Sequence, residues 1–103
     1  MTTHRYRITV EQLDLAPQQG ADSPATLAFE VTNHDDILGI VERFRQRKDF
    51  DDDSACALGV GLKLFSEVML QNRTHPLFSE FRGHFGQFMK SLKSSFVAAA
   101  ANS

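Results

Sequence analysis

The sequence predicts an α+β domain, an N-terminal antiparallel β-hairpin followed by three α-helices, with the second helix central. Three observations carry that expectation. Residues 4–13 and 27–32 alternate apolar with polar, the period of a half-buried strand. From Ile37 onward the apolar residues recur at helical spacing. And nine of the 103 residues are Phe, with one Tyr and no Trp, enough large rings to fill one small core.

Bulk composition excludes several classes. A chain 42% hydrophobic and 23% charged has too much apolar matter for a disordered segment. No period of 20–50 residues recurs, which sets aside a solenoid. The single Cys56 sets aside a disulfide-stapled fold. A net charge of −2 and a pI near 6.0 give no long-range attraction to nucleic acid or anionic lipid. The residues from Met1 to Val10 form no signal-like apolar run, and no stretch approaches the ~20 apolar residues of a membrane span. Together with the lone thiol this predicts a cytoplasmic protein with no membrane association.

In the first strand Tyr6, Ile8 and Val10 share a face, with Arg5, Arg7, Thr9 and Glu11 on the other. Leu13 breaks the alternation, so a bulge or the strand's end is expected near Glu11–Gln12. Residues 14–24 hold two Pro and a Gly and read as a flexible loop. Leu27, Phe29 and Val31 then face inward. Matching the inward faces pairs Val10 with Leu27, Ile8 with Phe29 and Tyr6 with Val31. Arg7 is thereby set opposite Glu30 as a surface ion pair.

Asn33 is the expected N-cap of the first helix, with His34, Asp35 and Asp36 in its first turn, where acids suit the helix dipole. Ile37, Ile40, Val41 and Phe44 form its apolar stripe, and Arg43, Arg45, Arg47 and Lys48 close it. Asp51–Ser54 opens a second, longer helix. Its apolar arc, from Leu58 through Leu62, Phe65 and Met69, exceeds half the circumference, leaving a strip of Lys63, Glu67 and Gln71. A helix so apolar is expected to be surrounded on most sides. Gly59 and Gly61 each lower helix propensity by roughly 1 kcal/mol, and close approach of another element is their expected use. Pro76 suits the first position of a third helix capped by His75. There Phe78, Phe81, Phe85, Phe88, Met89, Leu92 and Phe96 lie within an arc of about 120°, with a kink open at Gly83–Gly86. The domain is expected to span residues 1–96, with a disordered tail over 97–103.

Chemistry-bearing patterns are sparse. Four histidines (His4, His34, His75, His84) fit no metal-binding spacing with each other or with Cys56. His34, Asp35 and Asp36 form the most suggestive polar cluster, because an imidazole and two carboxylates can hold a divalent ion or move protons. The plainer role is helix capping. Asp49, Asp51 and Asp53 alternate like calcium-loop ligands, but Ser54 replaces the turn glycine and Val60 the bidentate Glu. Gly59-Val60-Gly61 lacks the rest of a dinucleotide fingerprint. Arg43, Arg45 and Arg47 do not fall on one helix face, so nucleic-acid binding lacks its basic footprint. Cys56 reads as a small core residue.

Several segments together carry a resemblance: His4-Arg5-Tyr6-Arg7-Ile8-Thr9-Val10, Asn33-His34-Asp35-Asp36, Gly61-Leu62-Lys63-Leu64-Phe65-Ser66-Glu67-Val68-Met69-Leu70, Pro76-Leu77-Phe78 and Phe88-Met89-Lys90-Ser91-Leu92-Lys93. With these the chain resembles a family of short bacterial proteins catalogued as a domain of unknown function. The likeness leaves out the loop at 14–24 and the tail after Phe96. It implies a small bacterial α+β domain of the cytoplasm, and brings no activity, cofactor or site residues.

With many rings and no catalytic, cofactor or metal motif, the expected role is a non-catalytic protein-interaction or regulatory domain. Its partner is another protein or a second copy of the chain. The plainer role of the third-helix stripe is core; the contact surface is otherwise apolar surface at the hairpin edge or on the third helix, with Phe78, Phe81, Phe85 and Phe88 as its candidate residues, since part of that stripe can stay exposed. The alternative is a small-molecule or metal-binding protein, or an enzyme, with its polar site at His34, Asp35 and Asp36.

Overall fold

Strands β1 (His4–Glu11) and β2 (Thr26–Asn33) pair antiparallel, from His4 opposite Asn33 to Glu11 opposite Thr26. A computed structural model describes residues 3–14 and 25–101, with side chains as far as Ser95. The register is the expected one: Tyr6–Val31, Arg7–Glu30, Ile8–Phe29 and Val10–Leu27. It follows from face matching, because a one-residue slip turns every apolar side chain outward. β1 stops at Glu11, one residue before Gln12 donates its N–H to the Ala25 carbonyl at 3.0 Å. The ion pair expected at Arg7 is shared: Arg5 and Arg7 both donate to Glu30, at 2.8 and 3.0 Å.

Contacts group the chain into two compact units, Met1–Asp35 and Asp36–Ser103. In the first, Asn33 is buried. Its Oδ1 accepts the Asp35 N–H at 2.9 Å, and the Tyr6 hydroxyl donates to the Asp35 carbonyl at 3.3 Å. The expected cap at Asn33 is therefore corrected. β2 runs through Asn33, and Asp36 caps the next helix, accepting the Gly39 N–H at 3.1 Å. Asn33 and Asp36 are both good capping residues, and strand pairing decides between them.

In the second unit, helix α1 (Ile37–Gln46) buries Ile37, Val41 and Phe44. It ends with the Arg47 N–H on the Phe44 carbonyl and Lys48 at φ 70°, a left-handed residue. Helix α2 (Asp52–Gln71) is capped by Asp51, which accepts the Ser54 N–H. Gly59 lies against α1, where an added Cβ would meet Val41 Cγ2 at 2.9 Å and Val41 Cα at 3.3 Å. Gly61 faces open space instead, so close approach accounts for only one of the pair. Two further expectations for α2 are corrected. Glu67, placed in the polar strip, is buried, with Gln71 donating to its Oε2 at 3.1 Å. Phe65, Val68 and Leu70 are exposed, so α2 is not enclosed around most of its girth.

The expected third helix is two, giving four helices in all among the described residues. Helix α3 (Pro76–Ser79) is followed by α4 (Phe81–Ala101). The break is at Glu80, which keeps helical angles of φ −74° and ψ −38°, and α4 runs unbroken through Gly83 and Gly86. Ser79 Oγ donates to the Pro76 carbonyl at 3.0 Å, a back-bond of a kind that bends helices. Past Phe96 the alanines continue α4 to Ala101, as their high helix propensity allows. Most of the expected loop (residues 15–24) and the end of the expected tail (residues 102–103) lie outside the described residues.

Candidate functional site

The rings of Phe78, Phe81 and Phe85 gather around Phe65 of α2. It meets Phe78 edge-on with centroids 5.9 Å apart and Phe81 edge-on at 5.8 Å, and lies tilted against Phe85 at 6.1 Å. Phe81–Phe85 (5.9 Å) and Phe85–Phe88 (6.4 Å) extend the cluster along α4. Edge-to-face pairs are the arrangement ring quadrupoles favour, at about 0.5–1.5 kcal/mol each beyond burial. The cluster is buried on one side and open on the other. Phe78 is buried and Phe85 half-buried, but Phe65, Phe81 and Phe88 remain 43%, 42% and 46% exposed. Sequence periodicity placed Phe65 in the core stripe of α2 and gave no sign that its ring is half in water. Leu77, next to Phe78 in α3, is exposed as well.

A groove of about 270 Å³ lies elsewhere on the same unit. Ile40, Phe44, Leu62, Met89 and Leu92 line it with apolar surface, and Arg43, Lys63 and Lys93 add three cations. Apolar stems with charged ends are how such side chains commonly cover a core. The same combination also matches an anion carrying an apolar tail.

The polar residues singled out by sequence are dispersed in their roles. His34, Asp35 and Asp36 are all exposed. The Asp35 backbone is held by Asn33 and Tyr6, while the Asp36 carboxylate is the α1 cap. His4 stacks on Tyr6. His75 caps α3 as expected, its Nδ1 accepting the Leu77 N–H at 3.1 Å. Among the described residues no group of three or more His, Cys, Asp and Glu side chains could hold a metal ion. Cys56 is a half-buried free thiol.

The acids after α1 are engaged by its arginines. Arg47 donates to Asp49 through Nε at 3.1 Å and Nη2 at 2.6 Å, and these hydrogen bonds hold the Asp49 carboxyl below its usual range. Arg45 Nε reaches Asp52 at 2.6 Å, and that bond raises the guanidinium pKa. Arg47 Nη1 also donates to Ser95 Oγ on α4 at 2.6 Å, and that hydroxyl donates to the Leu92 carbonyl. Two of the arginines thus meet carboxylates, where a phosphate site needs cations held open.

Comparison with known proteins adds a family and a fold relative. A family model described as a Domain of Unknown Function with solved structure (DUF3861) matches residues 4–94. A crystal structure of a protein of unknown function from Pectobacterium atrosepticum SCRI1043 is similar at a TM-score of 0.77 and 42% identity. The match covers 90% of this chain and 99% of that one. No curated protein matches.

Proposed function

The chain belongs to the DUF3861 family, and on that premise we propose that it is a small, non-catalytic interaction or regulatory domain of the bacterial cytoplasm. The observation that carries the proposal is the ring cluster around Phe65. Its buried side, Phe78, fixes its shape, and its open side presents Phe65, Phe81 and Phe88 to solvent. Rigid aromatic side chains lose little conformational freedom on binding and dominate interface energetics. A partner covering them would complete the enclosure of α2 expected of a central helix. The double variant Phe81→Ser, Phe88→Ser tests this. It should keep the far-UV spectrum of the parent, melt cooperatively at a lower temperature because the ring pairs of Phe81 and Phe88 are lost, and lose the proteins that the parent captures from bacterial lysate. Equal capture by both forms refutes the assignment of this surface.

A second reading, small-molecule binding, is favoured by the apolar groove that Lys93 borders rather than by His34, Asp35 and Asp36. Its ligand class is an amphiphilic anion. Titration with dodecanoate should raise the melting temperature of the parent, and Lys93→Glu should abolish the rise. No shift in the parent removes the reading.

A further inference from the structure

The strongest unexplained feature outside the ring cluster is the outer edge of β1. Gln12, whose N–H bonds to the Ala25 carbonyl, fixes the phase of the ladder. Hydrogen-bonded pairs alternate along antiparallel strands, so the even residues of β1 bond to β2. The N–H and C=O groups of Arg5, Arg7, Thr9 and Glu11 therefore point away from β2. Among the described residues the sheet has only the two strands, which leaves these groups a ready template for another strand. No Pro, Gly or Lys interrupts His4–Glu11.

Charge selects the occupant. Arg5 and Arg7 share the single carboxylate of Glu30, and their side chains are 79% and 72% exposed. Glu11 makes no ion pair among the described residues. We propose that β1 pairs antiparallel with β1 of a second copy about a two-fold axis at Ile8, joining two hairpins into a four-stranded sheet. In this register Arg5 lies opposite Glu11 of the second copy, and Arg7 opposite its Thr9, each pair exchanging the outward backbone bonds. Ile8 meets its own counterpart at a non-hydrogen-bonded position, where Cα atoms approach to about 4.5 Å. Tyr6 meets Val10, so the apolar faces of both hairpins become one. The surplus cation of each hairpin finds the unused carboxylate of the other, twice by symmetry.

Competing registers are poorer. Moving the axis to Arg7 sets the two copies of Arg7 against each other. Moving it to Thr9 sets Arg7 opposite Glu11 of the second copy but carries Arg5 past the end of the facing strand and shortens the ladder. An odd shift turns the apolar face over. The edge of β2 offers Thr26, Ala28, Glu30 and Thr32, with one sign of charge and no complement to itself. Exposed ion pairs add little affinity, so Arg5 and Glu11 set register and partner, while the backbone ladder and apolar faces hold the sheet.

This inference goes beyond the interaction reading, because it uses none of the phenylalanines of α2–α4. Its test is the mass of the full chain in solution by light scattering at micromolar concentrations. The parent should be a dimer, and Arg5→Glu and Glu11→Arg should each be monomeric, since each sets like charges opposite one another at both ends. Their equimolar mixture should form a mixed dimer, in which both positions are again complementary. Thr9→Pro removes an outward N–H that the hairpin itself does not use; it should also be monomeric, with an unchanged far-UV spectrum. A monomeric parent overturns the proposal. So does a dimer that survives Thr9→Pro and both charge variants yet is lost in Phe81→Ser, Phe88→Ser, an outcome that leaves the ring-cluster reading standing.

Discussion

Replacing Gly59 and Gly61 by alanine, one at a time, separates helix propensity from close packing in α2. Both glycines are two residues apart in one helix, and each substitution gains roughly 1 kcal/mol of propensity. Only at Gly59 does the new methyl meet anything. It would stand 2.9 Å from Val41 Cγ2, 3.3 Å from Val41 Cα and 3.4 Å from Phe44 Cδ2. The valine methyl can turn away, but its Cα belongs to the α1 backbone, and Phe44 is itself fully buried. Relief therefore requires α1 and α2 to separate, an overpacking cost of about 1–3 kcal/mol. Gly61→Ala should stabilise the protein by about 1 kcal/mol. Gly59→Ala should be neutral to destabilising by about 2 kcal/mol, the packing cost less the propensity gain. Urea unfolding followed by far-UV circular dichroism measures both. If the two variants agree to within about 0.5 kcal/mol, the ordinary scatter of independent surface changes, Gly59 is not where α1 and α2 touch.

Three further outcomes are expected. Lys48→Gly should raise stability by about 0.5–1 kcal/mol, because Lys48 holds φ 70°, a region costly for side chains with a Cβ and free for glycine; a loss of stability in the same urea assay contradicts this. Asp36→Ala should cost about 1 kcal/mol and Asp35→Ala much less, since only the Asp36 carboxylate caps α1; equal losses restore the doubt between neighbouring caps. Asp49 has a folded pKa below its unfolded value because Arg47 bonds its carboxylate, so its contribution is present above the unfolded pKa and is lost as pH falls through the folded one. Asp49→Asn should therefore flatten the acid limb of stability below about pH 4 and leave neutral-pH slopes unchanged. An acid limb identical in parent and variant sinks the assignment.

The hairpin was legible to single-residue register because a period of two admits only one inward face, and Arg7 opposite Glu30 agreed with it. The stripe of α1, the opening of α2 near Asp51–Ser54 and the cap at His75 were legible for similar reasons, each resting on local geometry within four residues. The start of α1 was not. Asn33, Asp35 and Asp36 can all cap, and only cross-strand pairing commits Asn33 to β2. The break at Glu80 was invisible because its backbone stays helical and no Pro or Gly marks it, whereas α4 passes through Gly83 and Gly86 without a break. Glu67 and Phe65 show the limit most clearly. A helical wheel assigns them to polar and apolar sides, but burial depends on where neighbouring helices end, and α3 and α4 leave Phe65 half open while Glu67 is covered.

The bond from Arg47 to Ser95 has a bearing on the order of events in folding. It joins residues 48 apart in sequence, whereas the packing of α1 on α2 is made within a short stretch of chain. Closing a longer loop costs entropy that grows with the logarithm of its length, about 0.6 kcal/mol per doubling, so docking α1 on α2 closes the cheaper loop. Whether the Ser95 hydroxyl is fastened before or after the transition state is read from the folding and unfolding rates of Ser95→Ala. A bond fastened late shortens the lifetime of the native state when it is removed and leaves the folding rate almost untouched.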